Sequence, residues 1–335
     1  MADISPGALL DVADLQVEFK TRHGVAQVLD GISFALAPGE TLGIVGESGC
    51  GKSMTALSIM GLVPQPPGEI AGGTIRFAGE DLLQASEERM RQIRGNEISM
   101  IFQEPMTSLN PVYSIGDQIA ETVILHQGLS RRDAWDRAIE MLKAVHIPAP
   151  EKRVREYPHQ LSGGMRQRAM IAMAVACQPQ VLIADEPTTA LDVTVQAQVF
   201  DLLLELRETT GTAIVLITHD MGAIAELADR VTVMYAGRMI ESGAVEQILD
   251  SPRHPYTRRL IACVPHLEEN PPLERSLLEE IPGVVPALTD LGTGCAFAPR
   301  CHERMQRCDS DKPASLDVAA GHRASCWLMT EEGAV

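Results

Sequence analysis

The stretch TLGIVGESGCGKSMTALSIMGL, residues 41–62, constrains this chain more than any other part of it. It reads as a short buried strand, Thr41–Val45, then a glycine-rich loop, then a helix from Ser53 that ends near Gly61. Gly46, Glu47, Ser48, Gly49, Cys50, Gly51, Lys52 and Ser53 fit the spacing G-x-x-x-x-G-K-[ST]. Glycines at those places let backbone N–H groups curl round a phosphate, and the following helix adds the positive end of its dipole. Lys52 reaches the outer phosphates, and Ser53 is placed to ligate Mg2+. The strand before and the helix after set this match apart from an accidental one. Cys50 lies two residues before Lys52 and close to a helix N-terminus, and both features favour a thiolate. The sequence therefore predicts a reactive thiol at Cys50, with a small buried filler as the alternative.

Four further stretches carry weaker signals one by one. VLIADEPTTALD is a buried strand, Val181–Ala184, that ends in two carboxylates. Asp185 at the strand tip suits a Mg2+-bound water, and Glu186 is placed to polarise an attacking water. LSGGMRQRAMIAMAVA sets Ser162, Gly163 and Gly164 at the start of a long helix, a second helix N-terminus fit for an anion. Read alone, Ser162 is equally an ordinary N-cap. MIFQEP is a strand (Met100–Phe102) ending in Gln103, and AIVLITHD a strand (Ala213–Thr218) ending in His219.

In their order along the chain the stretches resemble an ABC-type ATPase across residues 10 to about 245. The resemblance implies a Walker A motif at Gly46–Ser53, a Q-loop at Gln103 and a signature at Leu161–Met165. It further implies a Walker B strand at Val181–Asp185, the catalytic Glu186, a D-loop at Ala190–Asp192 and an H-loop at His219. ATP is then the ligand, Mg2+ lies at Ser53, Gln103 and Asp185, and Gln103 and His219 join Glu186 in catalysis. Phe19, at the end of LQVEF, falls where the family stacks an aromatic on adenine; it is equally placed to be core. The chain has one Walker A and one signature. In the family each nucleotide is held between Walker A of one subunit and the signature of another. A second, homologous ATPase subunit follows, in a heterodimer or a homodimer.

EPMTSLNP after Gln103, RHPYT at Arg253–Thr257 and IPGVVP at Ile281–Pro286 resemble the oligopeptide/dipeptide importer branch. That resemblance implies two membrane permease subunits, an extracytoplasmic solute-binding protein and a peripheral place on the cytoplasmic face of the inner membrane. Nickel and glutathione importers share the branch, so the solute is open. A soluble ABC protein of translation would usually carry two cassettes. A DNA-repair ATPase would insert a long coiled coil between Walker A and signature, and the stretch from Ser53 to Leu161 has no sustained heptads.

Strands alternating with helices predict an α/β nucleotide-binding core with a mainly parallel, RecA-like sheet. DLQVEF and GGTIRFAG predict an antiparallel β piece at the front, residues 105–178 a helical subdomain, and RVTVMYAGRMIESG a hairpin turning at Ala236–Gly237. Residues 1–249 form the ATPase domain on this reading. Residues 250–335, where proline density rises and regularity falls, form an appended cysteine-containing extension.

The formal net charge of −17 argues against a general nucleic-acid binder. There is no signal-type apolar core before Lys20 and no apolar run near membrane-span length, so a cytosolic setting is expected. Disulfides are rare there, which bears on Cys295, Cys301, Cys308 and Cys326, four of seven cysteines. Metal ligation is the expectation. Their gaps of five, six and seventeen residues lack the tight pairs of a zinc knuckle. Wider spacing suits a [4Fe–4S] cluster, although it does not match the bacterial ferredoxin run; Zn2+ and unmetallated thiols stay open. Arg300, Arg304 and Arg307 lie among the ligands, where their charge would offset that of a cluster. The resemblance also implies a cluster, since some dipeptide-type subunits carry one in this segment.

Overall fold

The computed structural model describes residues 7–22, 24–103, 108–189, 191–263 and 281–330. Two sheets and a helical layer make up the molecule. The four-stranded sheet is antiparallel, in the order β2-β1-β4-β5, and contains β1 (Leu10–Thr21), β2 (Gly24–Leu36), β4 (Gly68–Phe77) and β5 (Glu80–Asp81). The eight-stranded sheet runs β11-β12-β10-β9-β3-β8-β7-β6. Its members are β3 (Thr41–Val45), β6 (Ile98–Ile101), β7 (Val181–Asp185), β8 (Ala213–Thr218), β9 (Arg230–Tyr235), β10 (Arg238–Ala244), β11 (Leu316–Ala319) and β12 (His322–Ala324). The helices are α1 (Lys52–Ile59), α2 (Glu87–Ile93), α3 (Ile115–Gln127), α4 (Arg131–Ala144), α5 (Pro150–Arg153), α6 (Gly163–Val175), α7 (Val193–Thr210), α8 (Met221–Leu227), α9 (Val245–Asp250) and α10 (Pro255–Ala262).

Every residue of β3, β6, β7 and β8 is buried. Their uninterrupted apolar runs are what a parallel sheet covered on both faces requires. The register sets the strand ends level: Val45 pairs with Thr218, Asp185 with Ile217, and Ala184 with Ile101. The turns that follow β3, β6, β7 and β8 therefore open along one sheet edge, where ligands of open α/β sheets bind.

Local chemistry starts and stops the helices. Ser114, Ser130, Ser162, Asp192 and Asp220 each accept a backbone N–H as N-caps. Gly128 and Gly211 close α3 and α7 in the left-handed conformation. The β9–β10 hairpin turns at Ala236 and Gly237, both with positive φ, as its strand twist requires.

Three features depart from the sequence reading. The whole of β2 was missing from it, because shifts in the β1–β2 register break the alternation that would have marked the strand. The strand before Gln103 spans Ile98–Ile101, earlier than Met100–Phe102, and is fixed by pairing with β7. The C-terminal segment is also more integrated than an irregular appendage. β12 pairs with β10, so β11 and β12 extend the main sheet, and Phe297 is buried in the main core. Phe297 meets Tyr235 and Tyr256 edge-on, with ring centroids 5.3 and 5.4 Å apart.

The segment is held by charge as well. The Glu241 carboxylate, fully buried, accepts the backbone N–H groups of Arg253 (2.6 Å) and His254 (2.9 Å) and pairs with His322 Nε2 at 2.7 Å. Three donors on one carboxylate are what keeps a buried charge tolerable. Asp30 on β2 likewise accepts from Arg238 and Lys312, both at 2.7 Å.

Candidate functional site

The loop Gly46–Ser53 leaves β3 and runs into α1. Gly46 needs to be glycine. With φ at 155°, a Cβ there would fall 2.3 Å from the Met234 carbonyl oxygen. Gly51, φ 102°, would collide with Leu29 at 2.6 Å. Ser48 and Gly49 face solvent. Lys52 is buried under the loop and donates to the carbonyls of Gly46 (2.7 Å) and Glu47 (3.1 Å), which curls the loop round its ammonium group.

Cys50 corrects an expectation. Only 1% of it is exposed, and its sulfur points inward. Burial pushes the thiol up, and this outweighs the nearby Lys52 charge, 3.8 Å away. The filler reading describes it, and the activated thiolate does not.

At the next strand end, Asp185 is buried and its Oδ1 has no hydrogen-bond partner. Burial raises its pKa, opposed by the Ser53 hydroxyl and the Lys52 charge. A buried, unpartnered carboxylate oxygen beside a serine hydroxyl is a donor set suited to a hard cation such as Mg2+. Glu186 follows with φ at 45°, a left-handed conformation that costs a non-glycine residue energy and is held by its surroundings. Its Oε2 accepts from Gln103 Nε2 and from the Thr189 hydroxyl, both at 2.9 Å, and its Oε1 lies 3.4 Å from His219 Nδ1. Burial works to raise this carboxyl. The Thr189 bond and the charges of His219 and Lys52 outweigh burial, so it sits below the usual glutamate value. It is ionised throughout the neutral range, as a group that orients water must be.

The structure thus brings Lys52, Ser53, Gln103, Asp185, Glu186 and His219 to one edge. Gln103 stands against Glu186 here rather than against Asp185. Ser162, Gly163 and Gly164 lie at the start of α6 in the helical layer, with Ser162 and Gly163 exposed. Ser162 accepts the Met165 N–H at 3.3 Å, so it is an N-cap; Gly163 has open space beside it. Phe19 is half-buried in the antiparallel sheet, with its ring over Gly68. Its strand partner Ala26 is three residues, about 10 Å, from the Leu29 that touches Gly51. Ala190 and residues 104–107 of the EPMTSLNP stretch lie outside the described residues.

Sequence reasoning did not single out Thr189, although it lies within the quoted VLIADEPTTALD. Nor did it see that Glu47 is bound from the C-terminal segment: Tyr256 Oη accepts its N–H at 2.9 Å, and Arg300 grips its carboxylate at 2.6 and 3.0 Å.

The four C-terminal cysteines approach one another. Cys295 N–H donates to the Cys308 carbonyl at 2.8 Å. Burial is the main cause that pushes Cys326 up to about 12. Among the described residues, no three His, Cys, Asp or Glu side chains converge as a site for one metal ion. The four thiols therefore do not fit a single Zn2+ as they stand. The arginines expected to offset a cluster are engaged elsewhere: Arg300 with Glu47, Arg304 with Asp309, and Arg307 over the Trp327 ring at 3.8 Å.

Residues 29–189 match the ABC transporter family, and residues 240–308 match the oligopeptide/dipeptide transporter C-terminal region. A probable peptide ABC transporter ATP-binding protein of Sinorhizobium fredii is 51% identical over 96% of both chains. The oligopeptide transport ATP-binding protein OppD of Bacillus subtilis is 50% identical, covering 96% of this chain and 89% of its own. The dipeptide transport ATP-binding protein DppD of the same organism is 48% identical over 96% and 95%. Among solved structures, the dimeric bacterial ABC transporter cassette MJ0796 superposes with a TM-score of 0.64 at 26% identity. It covers 70% of this chain and 98% of its own.

Proposed function

The chain belongs to the ATP-binding proteins of ABC transporters, in the branch with an oligopeptide/dipeptide transporter C-terminal region, and on that premise we propose that it hydrolyses ATP to power peptide import. The observation that carries the reading is the convergence of Lys52, Asp185 and Glu186 on one sheet edge, with Glu186 ionised and held by Gln103, Thr189 and His219.

The roles follow from position. The N–H groups and the Lys52 ammonium receive the triphosphate. Ser53 and Asp185 would hold Mg2+, which would supply charge neutralisation at the phosphates when bound. Glu186 orients the attacking water and accepts its proton, while His219 and Gln103 keep the carboxylate aimed. Phe19 stacks the adenine. Ser162–Gly164 at the exposed start of α6 serves the nucleotide of a partner cassette, since two helix N-termini then share one triphosphate. A second ATPase subunit, two permeases and a solute-binding protein complete the importer, with this chain on the cytoplasmic face. No described helix is long and apolar enough to cross a membrane, which suits a peripheral subunit.

For the segment from residue 250, ligand type and sequence spacing alone speak for a [4Fe–4S] cluster on Cys295, Cys301, Cys308 and Cys326. Anaerobic purification with iron and sulfide analysis tests it, and a colourless, iron-free protein refutes it.

Reconstitution with the two permeases tests the main reading. ATP hydrolysis should depend on the permeases and rise with loaded binding protein and a peptide. Hydrolysis that ignores both would rule out transport.

A further inference from the structure

Two stretches of the C-terminal segment meet at one residue of the phosphate loop, and a third braces one of them. From RHPYT comes Tyr256, whose hydroxyl oxygen accepts the Glu47 N–H at 2.9 Å. From APRC comes Arg300, whose guanidinium forms a fork on the Glu47 carboxylate at 2.6 and 3.0 Å. From IPGVVP come the carbonyls of Ile281 and Pro282, which accept from Arg300 at 3.0 and 2.9 Å. Arg300 also donates to the Tyr235 hydroxyl at 3.4 Å, so all five of its N–H groups are engaged. Its side chain is 4% exposed.

This cost in burial and order falls on a residue far along the chain from the loop it touches. An arginine merely bracing the segment would not need a carboxylate in the phosphate loop. Glu47 is also one of the two residues whose carbonyl oxygens hold Lys52. Fixing Glu47 at its N–H and its carboxylate fixes that carbonyl too, and with it the place of the ammonium that meets the phosphates. We infer that Arg300 is a positioning residue for ATP binding, acting through Glu47 on the phosphate loop, and that the C-terminal segment is thereby a working part of the nucleotide site. The inference rests on the reading of Gly46–Ser53 as that site.

The test is a titration of the full chain with Mg·ATP, with thermal melts in parallel. Arg300→Met and Glu47→Gln are each expected to weaken ATP binding about tenfold, the coupling usual within one ion-pair network. The double variant should be no weaker than the worse single one, because both changes break the same link, and Arg300→Lys should recover part of the affinity. If Arg300→Met melts earlier but binds ATP as tightly as the unchanged protein, the inference is overturned. Additive losses in the double variant overturn it also. Should Arg300→Met not fold, Glu47→Gln, which keeps the side chain's size, decides: unchanged affinity overturns it. An unchanged protein that fails to bind ATP overturns the underlying reading and this inference with it.

Discussion

Two glutamates stand at the same sheet edge, in the turns after β3 and β7, and they are held in opposite ways. Glu47 faces a buried guanidinium that takes both its oxygens. Glu186 faces an amide, a hydroxyl and a histidine, and no fixed cation touches it. A charge-assisted fork makes a carboxylate rigid and consumes its lone pairs. The groups around Glu186 lower its pKa without a guanidinium fork, so the carboxylate is aimed and ionised yet still open to water. The difference separates a residue that shapes the loop from one that works on water, although sequence shows the same side chain in both.

The comparison breaks most sharply at Glu186. Glu186→Gln keeps the three neighbours and removes the basicity. Turnover in the assembled complex is expected to fall by about 10³-fold, within the range for a lost general base, with ATP affinity unchanged. Near-normal turnover would remove Glu186 from its role. Lys52→Ala acts in the other turn and should show the reverse pattern, with ATP affinity falling about 10²-fold as a phosphate cation is lost. It also removes one of the charges that hold the Glu186 carboxyl down. A Lys52→Ala protein that binds ATP normally would contradict the loop assignment.

Thr189→Val sharpens the comparison with a smaller effect. Burial alone would raise Glu186, and the Thr189 hydroxyl is the first of the groups that pull it below the ordinary value. A carboxylate with a depressed pKa stays ionised as pH falls to below its usual titration range and loses its charge only there. Without the hydroxyl, the acid limb of the turnover profile should move to higher pH. The loss near pH 7 should be a few-fold at most, and the loss should grow on acidification. A limb that stays in place would show that the bond does not tune Glu186.

Much of this site was legible in the sequence because its chemistry is local. Lys52, Asp185, Glu186, Gln103 and His219 each follow a strand whose apolar run is readable, and parallel register puts such strand ends together. The misses share a physical cause, which is contact over long sequence distance. Glu47 and Arg300 are 253 residues apart, and nothing near either one announces the other. Cys50 was misjudged for the same reason: two favourable neighbours were visible, and the burial that overrides them was not. β2 was hidden by register shifts, and β12 is only three residues long, fixed by pairing with β10 rather than by its own pattern.

The smallest expected effect lies behind the Glu47 turn. His254 caps α10, the helix that carries Tyr256, by accepting the Tyr256 N–H on Nδ1 at 3.0 Å. Burial, helped by the Arg258 charge, lowers its pKa to about 3. An accepting Nδ1 in a buried site keeps the ring neutral in the folded chain, whereas the unfolded chain protonates it near 6.5. The unfolded state therefore binds the extra proton first, and stability falls as pH drops from about 6.5 towards 3, by at most about 1.4 kcal/mol per pH unit. Asparagine offers an acceptor oxygen for the same cap and does not titrate. His254→Asn should therefore melt somewhat earlier than the unchanged protein at pH 7, because it fills less of the pocket beside Phe297, 5.9 Å from the histidine ring. Between pH 6.5 and 5, above most carboxylate titrations, its melting temperature should fall less steeply than that of the unchanged protein. Parallel slopes in that window would mean that His254 does not carry the loss of stability in acid.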